Sequence, residues 1–197
     1  MKTRSNKSKE GLQKELIRLM KYKKIQEITV TELCEKADIN RSTFYKYYAL
    51  PQDVMEEYIK EMYGEGILIM TEHYKGDTEQ VLFHRFEKMC RLYFNRTLEC
   101  RDAIANNIQY FSSMQNRYDV AKSYSNISTE LRYKGSFFWG GISSVIQNWL
   151  FITGDESPEY IATLLTKMSM DFCKQNPEAY VFLGLSAPQS GGDMESL

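Results

Sequence analysis

The chain has 197 residues, 43% of them hydrophobic, and carries only four prolines. That size and composition suit one ordinary domain, or a small domain joined to a larger one, and exclude a disordered chain. No apolar run reaches the roughly 18 residues of a membrane span, and the N-terminus MKTRSNKSKEGLQKE is polar and basic with no apolar segment behind it. We therefore expect no secretory signal, no membrane association and a cytoplasmic location.

The net charge of −1 is unevenly spread. Residues 1–48 hold twelve Lys/Arg against six Asp/Glu, while the remainder holds thirteen against twenty. A basic head on an acidic body is the asymmetry of a protein whose one end meets phosphates, although a solvated basic face without a partner has the same composition. Cys34, Cys90, Cys100 and Cys173 are widely spaced with no C-x-x-C pair. This spacing predicts reduced, mostly buried thiols rather than disulfides or a metal site.

In chain order, the first predicted helix spans about Ser8 to Lys24. Leu12, Leu16, Leu19 and Met20 share one face, and the cations of KYKK (21–24) stand at the negative end of its dipole. A second helix starts at Thr29-Val-Thr-Glu32, which fits a capping box, with Ile28 and Leu33 as a hydrophobic staple. Val30, Leu33, Cys34 and Ala37 form its apolar stripe. ADIN (37–40) breaks it, and Asn40 is the expected N-cap of a third helix from Arg41 to about Tyr48. A fourth helix starts at Pro51 and reaches about Met70, its first turn carrying Asp53, Glu56 and Glu57. After the loop HYKGD (73–77), capped by Asp77, a helix buries Val81, Phe86, Met89, Cys90 and Tyr93. Further helices are predicted at about 98–111, 115–127 and 130–152. A last one, about 158–174, follows TGDESPE with Ser157 as N-cap and Pro158 at the first position. EAYVFLGL has no clear reading, and 186–197 reads as a flexible tail. The expected fold is all-α with about nine helices. It divides into a three-helix head (1–50), a larger helical body (51–185) and the tail.

The stretch ITVTELCEKADINRSTFYKYY (28–48) has the layout of a helix-turn-helix. Such a unit needs a short helix, a tight turn, and a second helix that rests on the first through a few apolar residues and leaves its other face for a groove. Phe44 is the natural anchor and Ile39 a second plug. Arg41, Ser42, Thr43, Tyr45, Lys46 and Tyr47 then remain as contacts. Arginine pairs with guanine O6 and N7, Ser/Thr hydroxyls suit bases or phosphates, and Tyr and Lys commonly hold phosphates.

The segment ITVTELCEKADINRSTFYKYYALPQDVMEEYI also resembles the DNA-binding region of the TetR family of bacterial transcriptional regulators. The resemblance lies in the ITV entry to the second helix, the buried Leu33 and Ala37, the ST-F-Y-x-Y-Y third helix, and a longer helix that starts at once. It covers about residues 8–62. FFWGGISSVIQNWLFITGDESPEYIATLLTKM (137–168) is similar in outline to the paired C-terminal helices through which such regulators dimerise. The resemblance implies a homodimer on double-stranded DNA, with each third helix in the major groove at one half of a near-palindromic operator. Arg41 and Ser42 would read bases. Thr43, Tyr45 and Tyr47 would touch backbone or bases, and Lys46, Thr29 and Thr31 would touch phosphate. It further implies an unidentified small-molecule effector bound in the body and, most often, repression. Two departures stand out. Asp38 occupies a turn position where many relatives have Gly, and ALPQD lacks the phosphate-binding Lys many relatives carry there. Arg4, Lys7 and Lys9 are the candidates to compensate.

In the body, Gly140 and Gly141 with Ile142, Val145, Ile146 and Trp149 form a face suited to close helix packing. It is read as the dimer interface, or as a face buried within one subunit. His73 and His84 do not stand at a metal-ligand spacing, and no cofactor is expected. No H-E-x-x-H, G-x-S-x-G or G-x-x-x-x-G-K motif is present, so we expect no enzyme. The competing reading is a TetR-like adaptor that acts through a protein partner without binding an operator.

Overall fold

The computed structural model describes residues 4–107 and 128–185. The helix expected at 115–127, the end of that expected at 98–111, and the 186–197 tail lie outside these residues. Among the described residues every regular element is helical, as the composition and periodicity predict. We label the α-helices α1 (Arg4–Met20), α2 (Val30–Ala37), α3 (Arg41–Phe44), α4 (Pro51–Met70), α5 (Thr78–Asn106), α6 (Thr129–Asn148) and α7 (Pro158–Gln175). The chain divides into two compact units. Of the described residues, one comprises 4–67, 92–107 and 150–154, and the other 68–91, 128–149 and 155–185.

The first unit contains the head. Its core gathers Leu12, Leu16, Leu19 and Met20 of α1, Ile25 and Ile28, Leu33 and Cys34 of α2, and Phe44 and Tyr48. Val54, Met55, Tyr58 and Ile59 of α4 join them, as do Cys100, Ala103 and Ile104 of α5. The apolar stripes read from the sequence therefore meet. Each fully buried Leu or Phe among them contributes about 1.5–3 kcal/mol from burial alone. Gly66 of α4 faces Tyr93 of α5, and a Cβ there would stand 1.9 Å from the tyrosine oxygen. A larger residue there would force the tip of the Tyr93 ring to shift.

Several helix boundaries differ from expectation. The first helix starts at Arg4, inside what reads from the sequence as a loose basic arm over 1–7, and α6 ends at Asn148, short of the expected 152. There are three others. First, α1 ends at Met20 and does not include KYKK. Tyr22 and Lys23 amides both return to the Leu19 carbonyl, and Ile25–Glu27 forms a 3₁₀ turn. The end of α5 explains this stop. The Asn106 and Asn107 side chains donate to the Met20 and Lys23 carbonyls at 3.0–3.2 Å, and Asn107 Oδ1 accepts from the buried Ile25 amide at 2.7 Å. The cations of KYKK act as tethers: Lys21 pairs with Asp102, Lys23 with Glu32, and Lys24 with Asn106. Second, α3 has only four α-helical residues, and 45–47 continue as turns. Third, α5 is one continuous 29-residue helix where two were expected. Its sequence contains neither Gly nor Pro, so nothing breaks it near 94–97.

In the second unit, Ser128 and Ser157 cap α6 and α7 through the Leu131 and Tyr160 amides, and Pro158 takes the first turn of α7. After α6 the chain widens into π-type turns over Trp149–Thr153. The undecided EAYVFLGL segment forms 3₁₀ turns over Pro177–Leu183 and buries Ala179, Tyr180, Phe182 and Leu183. Phe138 of α6 packs at a tilt against Phe172 of α7 and Phe182, at 5.1 and 6.1 Å between ring centres. Buried Arg85 holds this segment by donating to the Leu183 carbonyl at 2.7 Å, while its Nε reaches the Glu72 carbonyl.

Asn107→Ala leaves the Ile25 amide buried without a partner. We expect a loss of about 1–3 kcal/mol in urea unfolding. An unchanged midpoint would show that the α1 turn does not depend on this amide.

Candidate nucleic-acid interface

Residues 41–48 divide cleanly between core and solvent. Phe44 is 0% exposed and Tyr48 6%, one helical turn apart. Arg41, Ser42, Tyr45, Lys46 and Tyr47 are exposed and Thr43 is half-buried. The aromatic side chains are braced by one another: Phe44 lies 5.6 Å from both Tyr45 and Tyr48, and Tyr47 lies 6.2 Å from Tyr48. Arg41 and Lys46 stand on this face, and among the described residues neither forms an ion pair. Their charges are available to a phosphate or a base edge.

The turn before α3 behaves as its chemistry requires. Asp38 is left-handed, with φ 54 and ψ 47, and its amide returns to the Cys34 and Glu35 carbonyls. Asp tolerates this region better than most residues and less well than glycine. Ile39 is half-buried against the head core. Asn40 has the dihedrals of an N-cap, but its side chain makes no capping hydrogen bond, contrary to the sequence reading. Thr29 does cap α2, its Oγ1 accepting from the Glu32 amide at 3.2 Å. The reciprocal arm of the expected capping box is replaced by the Lys23–Glu32 ion pair. Thr29 and Thr31 are both exposed at the start of α2.

Beyond α3, the amides of Ala49 and Leu50 donate to Asp53 Oδ2 at 2.8 and 2.9 Å. The first turn of α4 is thus capped by the protein's own carboxylate. Glu57, one turn further on, accepts from the Tyr48 hydroxyl and from Lys9 Nζ at 2.6 Å. Burial pushes the Glu57 carboxyl pKa up, but the hydrogen bonds from Lys9 and Tyr48 outweigh this and hold it below the usual range. The Tyr48 hydroxyl is pushed well up, first by burial and then by its bond to Glu57.

No family model matches the chain. It is 29% identical over 106 residues to the uncharacterized HTH-type transcriptional regulator YxbF of Bacillus subtilis (strain 168). That match covers 52% of this chain, which spans only 25% of the relative.

The residues assigned to self-association fall elsewhere than on an open face. Ile142, Ile146 and Trp149 are buried within the single chain and Val145 is half-buried. Of the two alternatives read from the sequence, burial within one subunit describes these three. The open apolar surface of α6 is instead Tyr133 and Phe137, followed by the exposed Gly140 and Gly141. On α7 it is Tyr160, Leu164 and Met168.

All four cysteines are free and buried, and burial raises the pKa of each thiol, to about 12 for Cys90 and Cys100. Such thiols carry almost no thiolate at neutral pH. Among the described residues no cluster of His, Cys, Asp or Glu could hold a metal ion, and no helix is long and apolar enough to cross a membrane. A cleft lined by Phe94, Thr97, Leu98, Arg101, Leu150 and Gly154 has room for about one water.

Sequence reasoning missed Glu57 as a partner of the 41–48 segment. The available signal was Tyr48 itself, since a phenol at an anchor position needs a buried acceptor. Asp38→Gly removes the left-handed penalty of a Cβ-bearing residue. We expect about 0.5–1 kcal/mol of added stability, read as a rise of a few degrees in the thermal midpoint. A fall would mean that the Asp38 carboxylate itself stabilises the turn.

Proposed function

We propose that this chain is a TetR-like, DNA-binding transcriptional regulator, a ligand-responsive repressor that binds a near-palindromic operator as a homodimer. The observation that carries this reading is the division of residues 41–48. Phe44 and Tyr48 lock into the head core, and Arg41, Ser42, Tyr45, Lys46 and Tyr47 face outward from the basic end of the chain. The similarity to a relative named as an HTH-type transcriptional regulator supports the coarser part of the reading.

In this account Arg41 and Ser42 read base edges at the start of α3. Thr43, Tyr45 and Tyr47 contact backbone or bases, and Lys46, Thr29 and Thr31 hold phosphates. A second copy packs on the outer faces of α6 and α7, around Tyr133, Phe137, Tyr160, Leu164 and Met168. Gly140 and Gly141 favour this placement, because open space lies where their Cβ atoms would stand and a partner helix can come close. The effector is a small molecule bound in the body. Its binding changes the separation of the two heads and lowers affinity, because both half-sites must be met at once. The chemistry is recognition without catalysis, and no cofactor is required.

The test is fluorescence anisotropy against the DNA upstream of the chain's own gene and a scrambled duplex, over a salt series. We expect preference for one duplex and a steep negative salt slope. Arg41→Ala should erase the preference, at a cost of about 1–3 kcal/mol on the preferred duplex alone. Lys46→Ala should weaken both duplexes alike and flatten the slope by about one unit. An absence of binding even at low salt would overturn the proposal.

A further inference from the structure

The surroundings of Tyr47 point to a contact that the helix-turn-helix layout does not include. Lys9 is on α1, yet its Nζ stands 5.3 Å from the centre of the Tyr47 ring and 5.6 Å from that of Tyr48. The same Nζ donates to Glu57 Oε1 at 2.6 Å, and Glu57 also accepts from the Tyr48 hydroxyl. The Lys9 ammonium is therefore fixed at the edge of the reading element, with two rings and a carboxylate defining its position. Its side chain remains about a quarter exposed, at 27%. An ammonium has three donors, and Glu57 takes one. Tyr47 is itself 39% exposed, so a phosphate oxygen that meets its hydroxyl lies within one side chain's reach of Lys9. The start of α4 is a poor alternative on this side. Residues 49–53 contain no cation, and Asp53 already accepts from the Ala49 and Leu50 amides.

We propose that Lys9 is a DNA-phosphate contact of this interface and that Glu57 is its positioning residue. The proposal rests on the DNA-binding reading above. Glu57 holds the four-carbon chain in one geometry over Tyr47, so less freedom is lost when a phosphate arrives. Glu57 is engaged by the buried Tyr48 hydroxyl, while the cation stands over both rings, of which Tyr47 is the exposed one. The ligand class is a phosphodiester backbone of any sequence, so Lys9 adds affinity and salt dependence without base preference.

The test measures affinity for a random-sequence duplex as a function of KCl. The proteins are the wild type, Lys9→Arg, Glu57→Gln and the double variant Lys9→Gln/Glu57→Gln, with a thermal melt for each. The Glu57→Gln background avoids an orphaned carboxylate when Lys9 is removed. Going from Glu57→Gln to the double variant, we expect the slope of log K against log salt to flatten by about 0.9, the release of one counterion. Low-salt affinity should fall several-fold, while Lys9→Arg keeps the wild-type slope. An unchanged slope with a lowered melting temperature would make Lys9 a structural partner of Glu57 only and would overturn the inference while leaving the DNA reading intact. A wild type that binds no duplex would overturn both.

Discussion

A helix of four α-helical residues cannot hold its own shape. One turn closes too few hydrogen bonds to offset the backbone entropy it fixes. The Arg41–Phe44 helix is therefore a product of its surroundings, and the interaction on which it depends is the burial of Phe44. That ring sits in a core shared by α1, α2, α4 and the end of α5. Tyr48 repeats the anchorage one turn later. With two anchors a turn apart, Tyr45, Lys46 and Tyr47 between them are forced outward, and Arg41 and Ser42 are exposed on the turn before Phe44.

Polar groups refine what this core begins. Asn106 and Asn107 take the carbonyls that a longer α1 would have used, so the chain turns at Met20 toward α2. Glu57 gathers Tyr48 and Lys9 and joins α1 and α4 to the segment that follows α3. The basic residues of the head consequently serve two purposes. Lys21, Lys23 and Lys24 tether elements to one another. Arg41 and Lys46 remain exposed on the open face, and there the proposed phosphate and base contacts would fall. Composition alone records only the sum of these two groups.

Much of this was legible in the sequence where the cause is local. The Leu12, Leu16, Leu19 and Met20 stripe, the Thr29 and Ser157 caps, Pro51 and Pro158 at helix starts, and Phe44 as anchor all depend on spacing within a few residues. What was missed depends on distant partners. The end of α1 is set by two asparagines 86 and 87 residues away. The shortness of α3 reflects its dependence on tertiary contacts. Ile142, Ile146 and Trp149 were apolar on one face as read, but periodicity cannot say whether a buried face meets the same chain or another copy. The split placed in α5 had no breaker to support it.

The central claim is that residues 41–47 meet DNA directly. Amide hydrogen exchange, followed by mass spectrometry with and without a saturating duplex at low salt, tests it at the level of peptides. The account predicts slowed exchange in peptides covering 29–32 and 41–50, with peptides from α7 unaffected. Protection confined to the body, or none in 41–50 under conditions where anisotropy shows the duplex bound, would contradict it.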